Sequence, residues 1–186
     1  MSWVTHEECP DLKKAIDRAN KKNILVFCSR ADKGNLSQKE YPADFDTTIT
    51  VSATDRMNVE RKHSEKSDFY VVGEDILADG PSYYHMMDGV TSNSVGPAVS
   101  GSSVATALAA GLASLIIAYG SCVNKDAYGN RRFMRRAKMV DLMKTYMCPG
   151  GANYIQASSF GPGLADENLD NVEVQRAWAV DHFSSM

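Results

Sequence analysis

The chain has 186 residues, and 20 Lys and Arg against 23 Asp and Glu give it a formal net charge of −3. This balance argues against a general nucleic-acid binder and against a protein held on anionic membranes. Hydrophobic residues make up 44% and charged residues 23%, as in an ordinary soluble domain, which argues against disorder, collagen-like repeats and coiled coils.

The first part of the chain predicts a helix followed by a buried strand. Apolar residues recur with the spacing of one helix face, at Leu12, Ala15, Ile16 and Ala19. Pro10 suits the first turn of this helix, and Lys21-Lys22-Asn23 suits its end. The continuous apolar run Ile24–Cys28 is typical of a strand that is buried on both faces of a parallel sheet.

A further strand is predicted at Thr48–Ala53, and one or two more are predicted over Phe69–Val72 and Asp75–Ala78. A helix from about Ser103 to Tyr119 is apolar on nearly every side, so we expect it to be central and covered all round. Arg131–Tyr146 predicts one more helix. Helices that alternate with buried strands predict a three-layer α/β fold with a mainly parallel sheet.

The four cysteines form no CxxC pair, which excludes a zinc ribbon and a disulfide-dense scaffold. Cys28 lies in an apolar run and is interpreted as a small core residue rather than a reactive thiol. No signal peptide is predicted at the start, so a cytoplasmic location would follow if Met1 is the true start of the protein. The apolar stretch Ala107–Ala118 is too short to span a bilayer, and no membrane partner is expected.

A loop rich in small residues, Gly89–Ser102, leads into the apolar helix and places Ser103 at its N-terminus. Free N–H groups and the positive end of the helix dipole lie there, and both favour an oxyanion. Ser103 is therefore a candidate nucleophile. The spacing alone leaves a second interpretation open, in which Ser103 is only the N-cap of the helix.

The segment Gly101-Ser102-Ser103-Val104-Ala105 resembles the Gly-Thr-Ser-Met-Ala motif around the active-site serine of the subtilisin-like serine proteases, the peptidase S8 family. Three more segments resemble motifs of that family, in the same order: Ile24–Gly34, Tyr41-Pro42-Ala43 and Asp75–Gly80. The resemblance covers residues 1 to about 145. It implies a subtilisin-like fold, a cis peptide bond at Tyr41-Pro42, and a serine endopeptidase that acts on peptides or proteins by acyl transfer through Ser103.

One departure from the family lies at the oxyanion hole. The position of the family's oxyanion-hole Asn is occupied by Asp32. An Asn side chain donates an N–H to the developing oxyanion, whereas an ionised carboxylate can only accept. Either Asp32 is protonated, or the backbone N–H of Ser103 forms the oxyanion hole.

A second departure concerns the catalytic triad, which the family orders as Asp, His and Ser. No Asp-x-Gly and no His-Gly-Thr precedes Ser103, and none of the four histidines is followed by Gly-Thr: His6, His63, His85 and His182. Without a base, a serine hydroxyl is a poor nucleophile at neutral pH. The triad Asp and His are therefore expected from sequence upstream of residue 1.

The start of the chain supports this interpretation, because Met1-Ser2-Trp3 resembles the Asn-Met-Ser-Leu substrate-binding strand of the family. We therefore expect residues 1–146 to form the C-terminal half of a subtilisin-like peptidase domain, with the N-terminal half of the fold absent, and residues 147–186 to form an extension of uncertain structure. Such a half-domain exposes a sheet edge and a helix face, so it is expected to be marginally stable or to dimerise.

The resemblance also implies substrate-binding residues. Ser2, Trp3 and Val4 would form one wall of the peptide cleft by strand pairing, and Ser29, Arg30 and Ala31 would form the facing wall. Lys33 replaces a Glu that often lies near the family's primary specificity pocket, which implies tolerance for acidic side chains. Family members often bind calcium, but this sequence offers no ligand set that we can name, and no other cofactor is expected.

Two alternatives compete with the protease. The first is an inactive subtilisin-like remnant that acts as a peptide-binding or regulatory module, which Asp32 and the absent triad Asp and His favour. The second is a different α/β hydrolase with a nucleophile elbow, but the final Gly of G-x-S-x-G is missing and Asp181-His182 stands at the extreme C-terminus.

Overall fold

The computed structural model describes residues 1–32, 38–55, 67–77, 98–123, 134–156 and 177. Its helices are α1 (Pro10–Lys21), α2 (Ser102–Val123) and α3 (Arg136–Met147), and its strands are β1 (Phe27–Ser29), β2 (Ile49–Thr54) and β3 (Phe69–Val72). A single 3₁₀ turn, Pro149–Gly151, follows α3. Helices combined with a buried sheet confirm the predicted α/β class.

The three strands form one parallel sheet in the order β1-β2-β3. All six residues of β2 are buried, as expected for a central strand covered on both faces. Residues outside the named strands extend both edges. The Met1 amino group donates to the Phe27 carbonyl and the Met1 carbonyl accepts from Ser29 N–H at 3.0 Å, while Tyr154 pairs with Tyr70 beside β3.

Strand β1 begins three residues later than predicted. Asn23 adopts a positive φ of 59° at the end of α1, and the Ile24 N–H turns back to the Ala19 carbonyl at 3.0 Å. Ile24 is consequently 55% exposed and belongs to the helix cap rather than to the sheet. The predicted strand at Asp75–Ala78 is, in its described part, a single antiparallel bridge between Ile76 and Val99.

Helix α2 packs one face on the sheet. Its buried residues on that face are small or β-branched, Ala105, Ala109, Ala113 and Ile116, so the helix backbone lies close to the strands. The opposite face is open, with Leu108 at 40% and Leu115 at 45% exposure. The prediction that α2 is covered all round is therefore wrong for this chain, because the described residues place a layer against one side only.

The length and composition of the segment Ser102–Gly120, with a mean hydropathy of 1.7, would also suit a membrane span. The whole helix is thus longer than the apolar stretch from which the sequence argued against one. Core helices of soluble proteins share these properties, and α2 contributes to the core through its sheet-facing side.

The residues after α2 complete the core. The buried side chains of α3 are Met139, Leu142, Met143 and Met147, and they join the same cluster as the strands. Ile155 lies in that cluster as well. Residues 147–156 therefore pack with the sheet. Residues 157–176 and 178–186 lie outside the described residues. The predicted extension over 147–186 therefore stays a prediction.

Candidate active site

The turn before α2 presents Ser103 to solvent. Gly101 adopts a positive φ of 138°, which a residue with a side chain rarely reaches, and its N–H donates to the Gly73 carbonyl at 2.7 Å. The helix then begins at Ser102, so Ser103 stands in its first turn, as the sequence predicted. The exposed Ser103 hydroxyl donates to the Ser2 carbonyl at 3.3 Å.

The preceding residue, Ser102, is 3% exposed and joins three segments of the chain. Its Oγ donates to Asp32 Oδ1 at 2.7 Å and accepts from the Ala53 N–H, at the end of β2, at 3.1 Å. Its backbone N–H donates to the same Asp32 oxygen at 2.9 Å. Asp32 is thus brought to the turn Gly101–Ser103, which we call the nucleophile turn after the predicted role of Ser103. It meets Ser102 there as a hydrogen-bond acceptor.

Two glycines permit this close packing. A Cβ on Gly101 would stand 2.9 Å from Asp32 Oδ2. A Cβ on Gly73 would stand 2.9 Å from the Gly101 carbonyl and 3.0 Å from the Cβ atoms of Ala53 and Ala105. Real Cβ atoms essentially never come within 3.0 Å of another atom. The glycine at position 73 therefore lets the ends of β2, β3 and α2 meet, and the glycine at position 101 leaves room for the Asp32 carboxylate.

The backbone N–H of Ser103 is a candidate oxyanion donor. Within the described parts of the chain, no group accepts a hydrogen bond from the Ser103 N–H, which lies in the first turn of α2. An N–H in that position can stabilise an oxyanion together with the helix dipole. An ionised Asp32 would add no donor, so the two alternatives for the oxyanion hole, a protonated Asp32 or the Ser103 backbone N–H, both stay predictions.

Of the two predicted cleft walls, the first has open backbone groups. Ser2 and Trp3 are exposed and Val4 is partly exposed, and their N–H groups make no hydrogen bond to any described residue. Pairing resumes only at Thr5, which forms an antiparallel bridge with Tyr41. The Tyr41-Pro42 peptide that follows is cis, as the resemblance predicted.

The second predicted wall is closed at its N–H groups. The N–H groups of Ser29, Arg30 and Ala31 donate to the Met1 carbonyl, the Val51 carbonyl and Glu40 Oε2 respectively. The Arg30 side chain is 8% exposed and turns inward, where its Nη1 lies 2.6 Å from Asp44 Oδ1 and 3.7 Å from Glu40 Oε2. Pairing with substrate at this wall would therefore depend on its carbonyl groups, and its role in binding stays a prediction.

Other predicted residues lie apart from the site or outside the described residues. His6 is the one histidine that the structure describes, and its Nδ1 lies 3.0 Å from the Lys39 carbonyl rather than at Ser103. The other three histidines, together with Lys33, fall outside the described residues, as does the end of the Asp75–Gly80 motif.

Cys28 is not a nucleophile in this fold. It is fully buried in β1, and burial raises the pKa of its thiol to about 11, with a smaller opposing effect from the nearby N-terminal charge. Burial raises the pKa of the Cys148 thiol to about 11 as well. At neutral pH neither side chain carries the thiolate that reacts, which confirms Cys28 as a core residue.

Among the described residues, no group of three or more His, Cys, Asp or Glu side chains is placed to hold a metal ion. We therefore assign no ligand to the calcium that the resemblance allows, and that expectation stays a prediction.

Sequence reasoning missed two features of the site. It did not predict the buried role of Ser102, although this serine before Ser103 stands where the family motif has Thr, a residue with the same hydroxyl. It also did not predict that the Arg30 side chain forms ion pairs with Asp44 and Glu40. An Arg that precedes acidic residues by up to 14 positions does not by itself predict that their side chains form ion pairs.

Comparisons with known proteins agree with the fold. The family model for the subtilases, Peptidase S8, matches residues 1–162. The fold is similar to a mutant of the PatA protease domain, at a TM-score of 0.59 and 18% identity over 84% of this chain and 54% of that one. The self-cleaved PatA protease domain gives a TM-score of 0.60 at 20% identity, with 84% and 57% of the two chains covered.

The prenylagaramide maturation protease PagA is similar at a TM-score of 0.59 and 18% identity, with 97% of this chain and 59% of that one covered. The chain thus spans between 54% and 59% of the length of these solved proteases, and at such identities the likeness concerns the fold. No curated protein matches the sequence. The family match extends over most of the chain and the parallel sheet agrees with it, so the chain belongs to the subtilase family.

Proposed function

We propose that the chain is the part of a subtilase serine endopeptidase that carries the nucleophile, the backbone oxyanion donor and one wall of the peptide cleft. The arrangement of Ser103 supports this most directly. Its hydroxyl is exposed, its N–H is unpaired among the described residues, and it lies against a segment with open backbone groups. A residue that served only as a helix cap would not need all three.

The reaction is acyl transfer. Ser103 Oγ attacks the carbonyl carbon of the scissile peptide bond, while a histidine from outside these 186 residues takes the hydroxyl proton. The carbonyl oxygen becomes an oxyanion that accepts from the Ser103 N–H, and the C–N bond breaks as the histidine returns the proton to the leaving amine. Water then hydrolyses the ester bond and releases the second product.

The substrate is a peptide or protein segment in an extended conformation. Its backbone pairs with the unpaired N–H groups of Ser2, Trp3 and Val4, which adds a strand to an open edge. The Ser103 hydroxyl, 3.3 Å from the Ser2 carbonyl, lies directly beside this strand.

Covalent labelling tests the proposal. The longest natural form of the protein is treated with a fluorophosphonate, and the modified residue is located by mass spectrometry. We expect labelling at Ser103 and its loss in Ser103→Ala. The matched control is Ser114→Ala, since Ser114 is an exposed serine on the same helix whose hydroxyl only donates to the Ala110 carbonyl at 2.9 Å. A folded protein that stays unlabelled would contradict the proposal.

A peptide-binding module without protease activity is the second candidate, favoured by the carboxylate of Asp32 beside the nucleophile turn. Such a module would bind extended peptides without any labelling of Ser103. Trp3 is 47% exposed on the open wall, so its fluorescence reports binding, and Trp3→Phe is the control. Peptide binding together with absent labelling would decide for the module.

A further inference from the structure

Both oxygens of the Asp32 carboxylate face the turn that carries the nucleophile. Oδ1 accepts from the Ser102 N–H at 2.9 Å and from its hydroxyl at 2.7 Å, across 70 residues of sequence. Oδ2 fills the space beside Gly101, 2.9 Å from where a Cβ would stand. The donors at this contact belong to the turn, and Asp32 accepts from them.

We propose that Asp32 is a positioning residue for Ser103, which fixes the nucleophile turn through Ser102 and leaves the oxyanion to the backbone. This inference rests on the proposed function only where the reactivity of Ser103 is concerned. The fixing of the turn stands on the contacts themselves.

The physical basis is electrostatic as well as geometric. Hydrogen bonds to a carboxylate are stronger than those between neutral groups, and a negative charge at the N-terminus of α2 interacts favourably with the helix dipole. Ser102 also ties the turn to β2, because its Oγ accepts from the Ala53 N–H at 3.1 Å. The loop after β1, the end of β2 and the start of α2 are thereby held together one residue before Ser103.

A carboxylate at position 32 can hold the turn but cannot donate a hydrogen bond to an oxyanion, whereas an amide could do both. An Asn at position 32 could accept the same two hydrogen bonds through its carbonyl oxygen, while its NH₂ group would replace Oδ2 and could donate to an oxyanion. Asp32→Asn should therefore keep the turn and add a donor, whereas Asp32→Ala should lose the turn.

Amide hydrogen exchange of the 186-residue chain, followed by NMR at Ser102, tests the positioning role without any need for activity. We expect the protection of this amide to fall about tenfold to a hundredfold in Asp32→Ala and to survive in Asp32→Asn. Asp11→Ala is the matched control, since Asp11 is a carboxylate in the first turn of α1 that is remote from the site. Unchanged protection in a folded Asp32→Ala protein would overturn the proposal.

If Asp32→Ala fails to fold, the unaltered chain and Ser102→Ala still decide. An unprotected Ser102 amide in the unaltered chain would overturn the proposal. A loss of protection at position 102 in Ser102→Ala, which removes only the hydroxyl hydrogen bonds, would support it.

Fluorophosphonate labelling in the longest natural form supplies the second readout. Because one oxyanion donor changes rates by about a hundredfold or more, Asp32→Asn should label markedly faster and Asp32→Ala more slowly than the unaltered protein. An Asp32→Asn protein that keeps the protected turn but labels no faster would overturn the inference that the carboxylate withholds a donor. Protection as expected with no labelling in any variant would retain the positioning role and overturn the proposed function.

Discussion

The two sides of α2 differ in what covers them. The side that faces the sheet carries residues at or below 2% exposure, among them Ala109 and Ile116. The other side exposes Leu108 and Leu115 at 40% and 45%. Both sides are apolar, so the difference lies in the surroundings of the helix and not in its composition. A helix that is apolar on all sides can pack against other elements on every side. In this chain, the described residues pack against α2 on one side only.

The contrast is sharpest at two adjacent residues, so the largest effect is expected there. Ile116→Ala should lower the free energy of unfolding by about 2–5 kcal/mol, because it leaves a cavity against the sheet. Leu115→Ala, its neighbour on the open side, should change the value by about 0.5 kcal/mol or less. Urea unfolding followed by circular dichroism at low protein concentration measures both. Equal losses would show that the open side is covered in solution.

Replacing two glycines by Ala should change the stability in opposite directions: Gly73, which follows β3 and contacts α2, and Gly111 on the exposed surface of α2. Gly73→Ala should cost about 1–3 kcal/mol of stability, because its Cβ would meet atoms of the nucleophile turn and of α2. Gly111 faces open space, with no atom within 4 Å of an added Cβ, so Gly111→Ala should stabilise the helix by about 0.5–1 kcal/mol. The melting temperatures of the two variants should move in opposite directions, and a shared direction would contradict the comparison.

The smallest change in stability is expected from a charge on the open side. Leu115→Lys should alter the free energy of unfolding by about 0.5 kcal/mol or less, yet it should shift the chain from dimer to monomer if the apolar face mediates self-association. Sedimentation velocity measures this shift, with Asp11→Lys on α1 as a control for charge. A dimer that persists in Leu115→Lys would place the contact elsewhere, and a monomeric, sharply melting unaltered chain would count against the half-domain expectation.

Local sequence patterns predicted the elements whose bounds depend on neighbouring residues in the chain. The alternation of turn residues and apolar runs gave β3 at the residues where it is found, Phe69–Val72, and the first helix at Pro10–Lys21. The start of β1 was misplaced because the cap of α1 uses Ile24, which is apolar enough to resemble a strand residue. A continuous apolar run does not show where the helix cap ends and the sheet begins.

In the site as well, features set by a local motif or by the family resemblance were predicted, and features set by distant segments were not. The position of Ser103 followed from a motif within a few residues, and the approach of Asp32 followed from the family resemblance. The acceptor role of Asp32 and the burial of Ser102 depend on segments that are 49 and 70 residues apart in sequence, which no local pattern encodes. The ion pairs of Arg30 were not predicted for the same reason, since the acidic partners Glu40 and Asp44 come from the next loop.

The long sequence separations within the Ser102 contacts also bear on how the site forms during folding. Bringing such distant segments together carries an entropic cost that only the finished sheet and helix offset, so these hydrogen bonds cannot persist in a partly folded chain. A nascent or damaged chain would have Ser103 but would not hold it in place. If Ser103 is the nucleophile that we propose, its reactivity would report completion of the tertiary structure, and an unfolded chain would not cleave its neighbours.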